Sequence, residues 1–181
     1  MSRFVTATLA TACALLVSLH VSCKEKHSAK PDTVDAFKVF QNFPTAVALY
    51  DIDRDGDLDC LEVVRTEFET KPPSATYILY IKGLKGLRNY TYYVRPGSTP
   101  DSNVIVINND YDHPLKDHYI YSDYETCVIM EFPMEGHYEC VLWVRTTKKE
   151  YFYQDCINKF QENCNEGLPT YDKETCGEMF Q

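Results

Sequence analysis

The sequence predicts an all-β fold: about eight antiparallel strands in up-and-down order, closed into a barrel, with a short helix before them and one helix after. Three observations predict it. Runs rich in β-branched and aromatic residues fill the middle of the chain, and turn-forming residues separate them about every ten to fifteen positions. No internal repeat or low-complexity tract interrupts the series. Residues 121–144, YSDYETCVIMEFPMEGHYECVLWV, read as two apolar arms about a turn, with a cysteine in each arm and the only Trp of the chain in the second. An even meander of eight strands closes well into a barrel able to hold one small ligand, with a sandwich as the alternative.

In chain order, residues 1–23 have the form of a secretory signal peptide. Arg3 starts it, an apolar run follows from Phe4 to Val21, and small residues lie near Ser22 and Cys23. The run carries Thr, Ser and His, which favours a cleaved signal over an anchor, and no later stretch is long enough to cross a bilayer. Residues 24–31 read as a flexible polar leader, and 24–181 as a single domain of roughly 160 residues, enough for a core. Residues 32–42 place Val34, Phe37, Val39 and Phe40 at helical spacing. Asp32 or Thr33 is the expected N-cap, and Pro44 the stop. Strands are expected over 43–50, 58–68, 75–82, 87–95, 103–108 and 115–122, then in the two arms 127–132 and 138–144.

Pro133 cannot donate to a ladder and Gly136 suits a turn, so the hairpin is expected between them. Side chains alternate along a strand, so Glu139, Val141 and Trp143 share one face while Cys140, Leu142 and Val144 share the other. Over 148–165 the pattern turns helical. Tyr151, Phe152, Ile157 and Phe160 recur there, Cys156 and Cys164 lie eight apart near one face, and Gly167 and Pro169 end the element. A short Cys-bearing tail, 171–181, closes the chain.

The chain has eight Cys and a formal charge of −9. Cys13 and Cys23 leave with the signal. The other six, an even number in a secreted chain, predict three disulfides, for which the residues alone allow fifteen connectivities. The acidic balance argues against nucleic acid or an anionic membrane as partner. His27, His113, His118 and His137 lack metal-ligand spacing, no nucleophile stands beside a base, and no thiol is left free. Neither an enzyme nor a cofactor is therefore expected.

Two local motifs stand apart. Asp51, Asp53, Asp55 and Glu62 match the carboxylate positions of an EF-hand loop, with Gly56 at the bend and Asp57 offering its carbonyl. The context argues against a true EF-hand, because Pro44 breaks an incoming helix and the residues after Cys60 read as a strand. Weak Ca²⁺ binding or a solvated acidic turn is the expectation. Asn89-Tyr90-Thr91 is an N-glycosylation sequon.

SDYETC at 122–127, ECVLWV at 139–144, the C-x7-C of Cys156 and Cys164, YDKETC at 171–176 and DLDCLEVVRTEF at 57–68 stand together in an order that resembles the tick salivary lipocalins, the family named for its histamine-binding members. The resemblance runs from about residue 32 to 176. It implies a lipocalin barrel with the later helix packed outside it, secretion in saliva, and sequestration of a host inflammatory mediator to suppress host defence. It also implies the bridges Cys60–Cys176 and Cys127–Cys156, which leaves Cys140 and Cys164 to each other.

Amine-binding members of the family carry an acid directly after the seventh-strand Cys and another before the Leu-Trp of the eighth. Here those positions are Val128 and Val141. A buried ammonium needs a carboxylate partner, so their absence favours an apolar pocket for a lipid mediator, fatty acid or sterol. Val128, Met130, Val141 and Trp143 would line it, with Tyr77, Tyr80 and Tyr92. The alternatives are a biogenic amine held by Glu139, a host protein such as a complement component or chemokine bound on the outer surface, and a calcium-binding module.

Overall fold

Strand alternation is plainest in Pro73–Ile81, where Ala75, Tyr77, Leu79 and Ile81 are buried and the residues between them are not. Such a segment buries one face against a core and leaves the other to solvent or a second layer. The computed structural model describes residues 33–52, 58–83, 86–134, 136–148 and 153–177. The signal and leader expectations fall outside them.

The elements are α1 (Ala36–Asn42), β1 (Thr45–Asp51), β2 (Glu62–Thr70), β3 (Pro73–Ile81), β4 (Arg88–Pro96), β5 (Ser102–Ile107), β6 (Leu115–Ser122), β7 (Cys127–Met134), β8 (His137–Arg145), α2 (Gln154–Cys164), the two-residue β9 (Leu168–Pro169) and α3 (Lys173–Cys176). Strands β2 to β8 pair in sequence order. β1 pairs with both β8 and β2, which closes an eight-stranded antiparallel barrel. A sandwich is thereby excluded. β9 adds a short pairing to the end of β1.

Several boundaries differ from the sequence expectation, each for a local reason. Asp35 is the N-cap of α1, its carboxylate accepting from the Lys38 backbone N–H at 3.1 Å. β2 begins at Glu62 because Cys60 turns the chain with φ 56°. β7 continues through Pro133, which pairs with Tyr138. The pairing of β7 with β6 ends at Glu131, so the missing N–H of Pro133 falls where β7 has only one neighbour. The hairpin turn therefore lies beyond Met134. α2 starts at Gln154, later than expected.

Two cores result. Inside the barrel, Ala46, Leu79, Val94, Ile105, Val128 and Trp143 pack with α1, whose Val39 and Phe40 close one end. Phe40 meets the Tyr77 ring at 5.6 Å and the Tyr119 ring at 5.7 Å. Tyr77 Oη donates to the Phe43 carbonyl at 2.8 Å, and the Arg65 guanidinium donates to the carbonyls of Phe40 and Gln41. Outside, α2 lays Cys156, Ile157, Phe160 and Cys164 against Val47, Ile129, Leu142 and Val144. Disulfides Cys127–Cys156 and Cys140–Cys164 fasten α2 to β7 and β8, and Cys60–Cys176 fastens the tail.

Candidate functional site

The interior cavity is walled by inward residues of all eight barrel strands and floored by α1. Val128, Met130 and Phe132 of β7 face it, with Trp143 of β8 beside Val128. β3 and β4 contribute Tyr77 and Tyr92, and β6 contributes Asp117 and Tyr119. Phe132 and Trp143 meet edge to face at 6.0 Å. The enclosed space is small, about 80 Å³.

Asp117 is the one carboxylate on this wall among the described residues. It is 4% exposed. Its Oδ1 accepts from the backbone N–H of Asn103 at 3.0 Å and from Asn103 Nδ2 at 2.9 Å, the two residues being opposite each other on β5 and β6. Burial nevertheless dominates and pushes its pKa up to about 7, against the Asn103 hydrogen bonds and the His118 charge. Burial also raises the pKa values of Tyr77, Tyr92 and Tyr119, so all three ring hydroxyls stay neutral. On the cavity wall Trp143 Nε1 is buried with no hydrogen-bond partner among the described residues, as is Asn103 Oδ1 beside Asp117. An acid and an unsatisfied donor among aromatic faces suit a ligand with a cationic group and an apolar body.

The site residues expected from sequence divide as follows. Tyr77, Tyr92, Val128, Met130 and Trp143 lie on the cavity wall. Val141 is fully buried in the inner core, opposite Met130 on β7, and does not reach the cavity. Tyr80 is on the wrong face: β3 turns Tyr77, Leu79 and Ile81 inward and Tyr80 outward. Glu139 is buried on the inner face, opposite Phe132, and forms an ion pair with His137 Nε2 at 2.5 Å. It does not line the cavity. The carboxylate on the cavity wall is Asp117 of β6, opposite Asn103, and not Glu139 of β8. In LKDHYIYS, Asp117 shares its parity with Leu115, Tyr119 and Tyr121, whereas Lys116, His118, Ile120 and Ser122 fall on the other, so the alternation itself is the signal that turns Asp117 inward.

The acidic loop offers no helix–loop–helix. Asp51 ends β1 and Glu62 opens β2, both are buried in the barrel wall, and Glu62 Oε1 accepts from Thr146 Oγ1 at 3.1 Å. Asp53, Asp55 and Asp57 lie outside the described residues. The described His, Cys, Asp and Glu side chains bring only Asp123, Cys127 and Cys156 within ligand distance of one another, and both cysteines are in a disulfide. Asn89 is exposed on the outer face of β4.

A family model described as tick histamine binding protein matches residues 25–178. The chain belongs to the tick histamine-binding protein family. Solved structures carry the same fold. The AM182 serotonin complex is 19% identical with a TM-score of 0.58, over 77% of this chain and 91% of that one. Japanin from Rhipicephalus appendiculatus bound to cholesterol is 10% identical with a TM-score of 0.52, over 72% and 94%. Lobster apocrustacyanin A1 is 12% identical with a TM-score of 0.57, over 78% and 83%. A search of curated proteins found no match. This histamine-binding family member is thus a lipocalin-type ligand binder, and its family and fold are those of binding proteins. None of its described helices is long and apolar enough to cross a membrane.

Proposed function

We propose that this lipocalin sequesters a small host amine, with Asp117 as the counter-charge. Asp117 carries the reading: it is a carboxylate buried among aromatic rings on the cavity wall, at a position that costs stability unless a cation rewards it. This differs from the lipid preference that Val128 and Val141 suggest, because the cavity wall carries a carboxylate on β6. The serotonin held by AM182 is a ligand of this kind. A neutral lipid is the second reading. The valine-lined wall favours it, as does a carboxyl that is half protonated near neutral pH. Secretion into saliva, removal of residues 1–23, glycosylation of Asn89 and suppression of host inflammation complete the proposal.

The test is calorimetric titration of the mature protein with serotonin, histamine and cholesterol, repeated on Asp117→Asn. Amine affinity should fall by at least about 30-fold, since losing one partner of a buried charge pair costs about 2–5 kcal/mol. Cholesterol binding should not change. Amine binding that survives Asp117→Asn, or the binding of cholesterol alone, would overturn the amine reading.

A further inference from the structure

The described residues line two spaces in the barrel. The inner cavity has about 80 Å³, and an outer one of about 290 Å³ lies under the β7–β8 turn. The outer wall is Tyr90, Ile107, Leu115, Pro133, Met134 and the His137–Tyr138 pair, with no carboxylate among its described residues. Tyr92 lines both spaces. The inner space is equivalent to two or three water molecules, at about 30 Å³ each, and is too small for the body of a ring-bearing or long-chain amine. Small-molecule pockets start at about 300 Å³; the outer space alone is near that size, but the carboxylate lies on the wall of the inner one.

We propose that one ligand occupies both compartments: its ammonium sits against Asp117, and its apolar body passes Tyr92 into the outer cavity. The ligand class is then an amphiphilic primary amine with a single positive charge and a long alkyl or arylalkyl body. This rests on the reading of Asp117 as an ammonium site. Tyr92 is the movable wall. Tyr77 is tied by its hydroxyl to the Phe43 carbonyl, and Arg88 Nη1 donates to the Tyr90 hydroxyl at 2.9 Å. The Tyr92 hydroxyl makes no hydrogen bond to a described residue, so turning its ring breaks none. Met134 and Leu115 offer the ligand body an apolar surface, and the aromatic faces of Tyr90 and Tyr138 flank it.

The experiment is titration of the mature protein at pH 8 with hexylamine, octylamine, decylamine and dodecylamine, each below its micelle threshold. Affinity should rise about fourfold per added methylene, the factor expected for a buried CH₂. Met134→Gln, nearly isosteric and polar, should weaken dodecylamine at least tenfold and leave hexylamine within about twofold. Tyr92→Ala should speed dodecylamine association, read from Trp143 fluorescence, while Tyr92→Phe should not. A flat chain-length series, or equal losses for short and long amines in Met134→Gln, would overturn the two-compartment proposal. Asp117→Asn separates the two failures. Hexylamine binding that ignores it removes the amine reading itself. Hexylamine binding that needs Asp117 without any chain-length dependence removes only the extension.

Discussion

Asp117 sets the pH behaviour of the molecule. Its folded carboxyl is raised to about 7, chiefly by burial, from the ordinary Asp value of about 3.9, so between those pH values the folded chain holds a proton that the unfolded chain has released. Stability from this residue is therefore full below about pH 4, declines as pH rises through 7, and stays lower above it. The loss is on the order of 4 kcal/mol. Urea midpoints at pH 4.5 and 7.5 should differ less in Asp117→Asn than in the native chain; equal differences would show that the carboxyl is not strained. Ligand binding runs the other way. An ammonium needs the ionised acid, so amine affinity should be level above about pH 7 and drop about tenfold per unit below it. Trp143 supplies a second residue-scale test. Its indole N–H is buried without an acceptor, and a ligand oxygen would relieve that cost of about 1–3 kcal/mol. Trp143→Phe should erase most of any preference for serotonin over tryptamine, and an unchanged ratio would remove the hydrogen bond from the proposal.

At the scale of elements, α2 is strapped to the barrel, and the strap depends on one close approach. The helix ends at Cys164, and the chain must then return along the end of β1. Gly167 makes that return possible: a Cβ there would lie 2.2 Å from the Asp51 carbonyl oxygen and 2.5 Å from the Phe160 ring. Neither can yield easily, because Asp51 is in the β1 ladder and Phe160 is fully buried. Gly167→Ala should cost about 1–3 kcal/mol, the usual range for overpacking, and lower the urea midpoint accordingly. A neutral result would mean that β9 lifts off β1 without loss. The bridges add to this strap. Cys127 and Cys156 are separated by 29 positions, and replacing both with Ser should cost about 3–4 kcal/mol in the chain-entropy account. α1 works differently, as a plug held by Phe40 and by the Tyr77 and Arg65 hydrogen bonds to its carbonyls, with no covalent tie.

The whole molecule shows which levels of structure a sequence exposes. The strands are legible because each carries its own alternation and its own turn residues, and β6 is read to the residue. The closure of β1 onto both β8 and β2 is not written locally. It follows from the even count and from the family resemblance, which also implies two of the three bridges and leaves Cys140 and Cys164 to each other. The cavity is legible where a strand has one apolar face, as with Val128, Met130 and Trp143. A strand with a tyrosine on each face is harder to read: β3 turns Tyr77 inward and Tyr80 outward, and only strict alternation separates them, while Asp117 is absent from the expected site residues although its parity with Leu115 and Tyr119 marks the inward face of β6. Net charge acts only at this largest scale. The chain carries a formal charge of −9, and a field of that sign draws cations toward the barrel from beyond contact distance. The pair at Asp117 is buried, so salt screens it little, whereas the approach through solvent is screened over about 8 Å at physiological ionic strength. Stopped-flow measurement of amine binding between 20 and 500 mM salt — roughly a fivefold range in screening length — should therefore show a falling association rate and a nearly constant dissociation rate. A dissociation rate that climbs with salt would place the bound cation at the exposed acidic surface instead of the cavity.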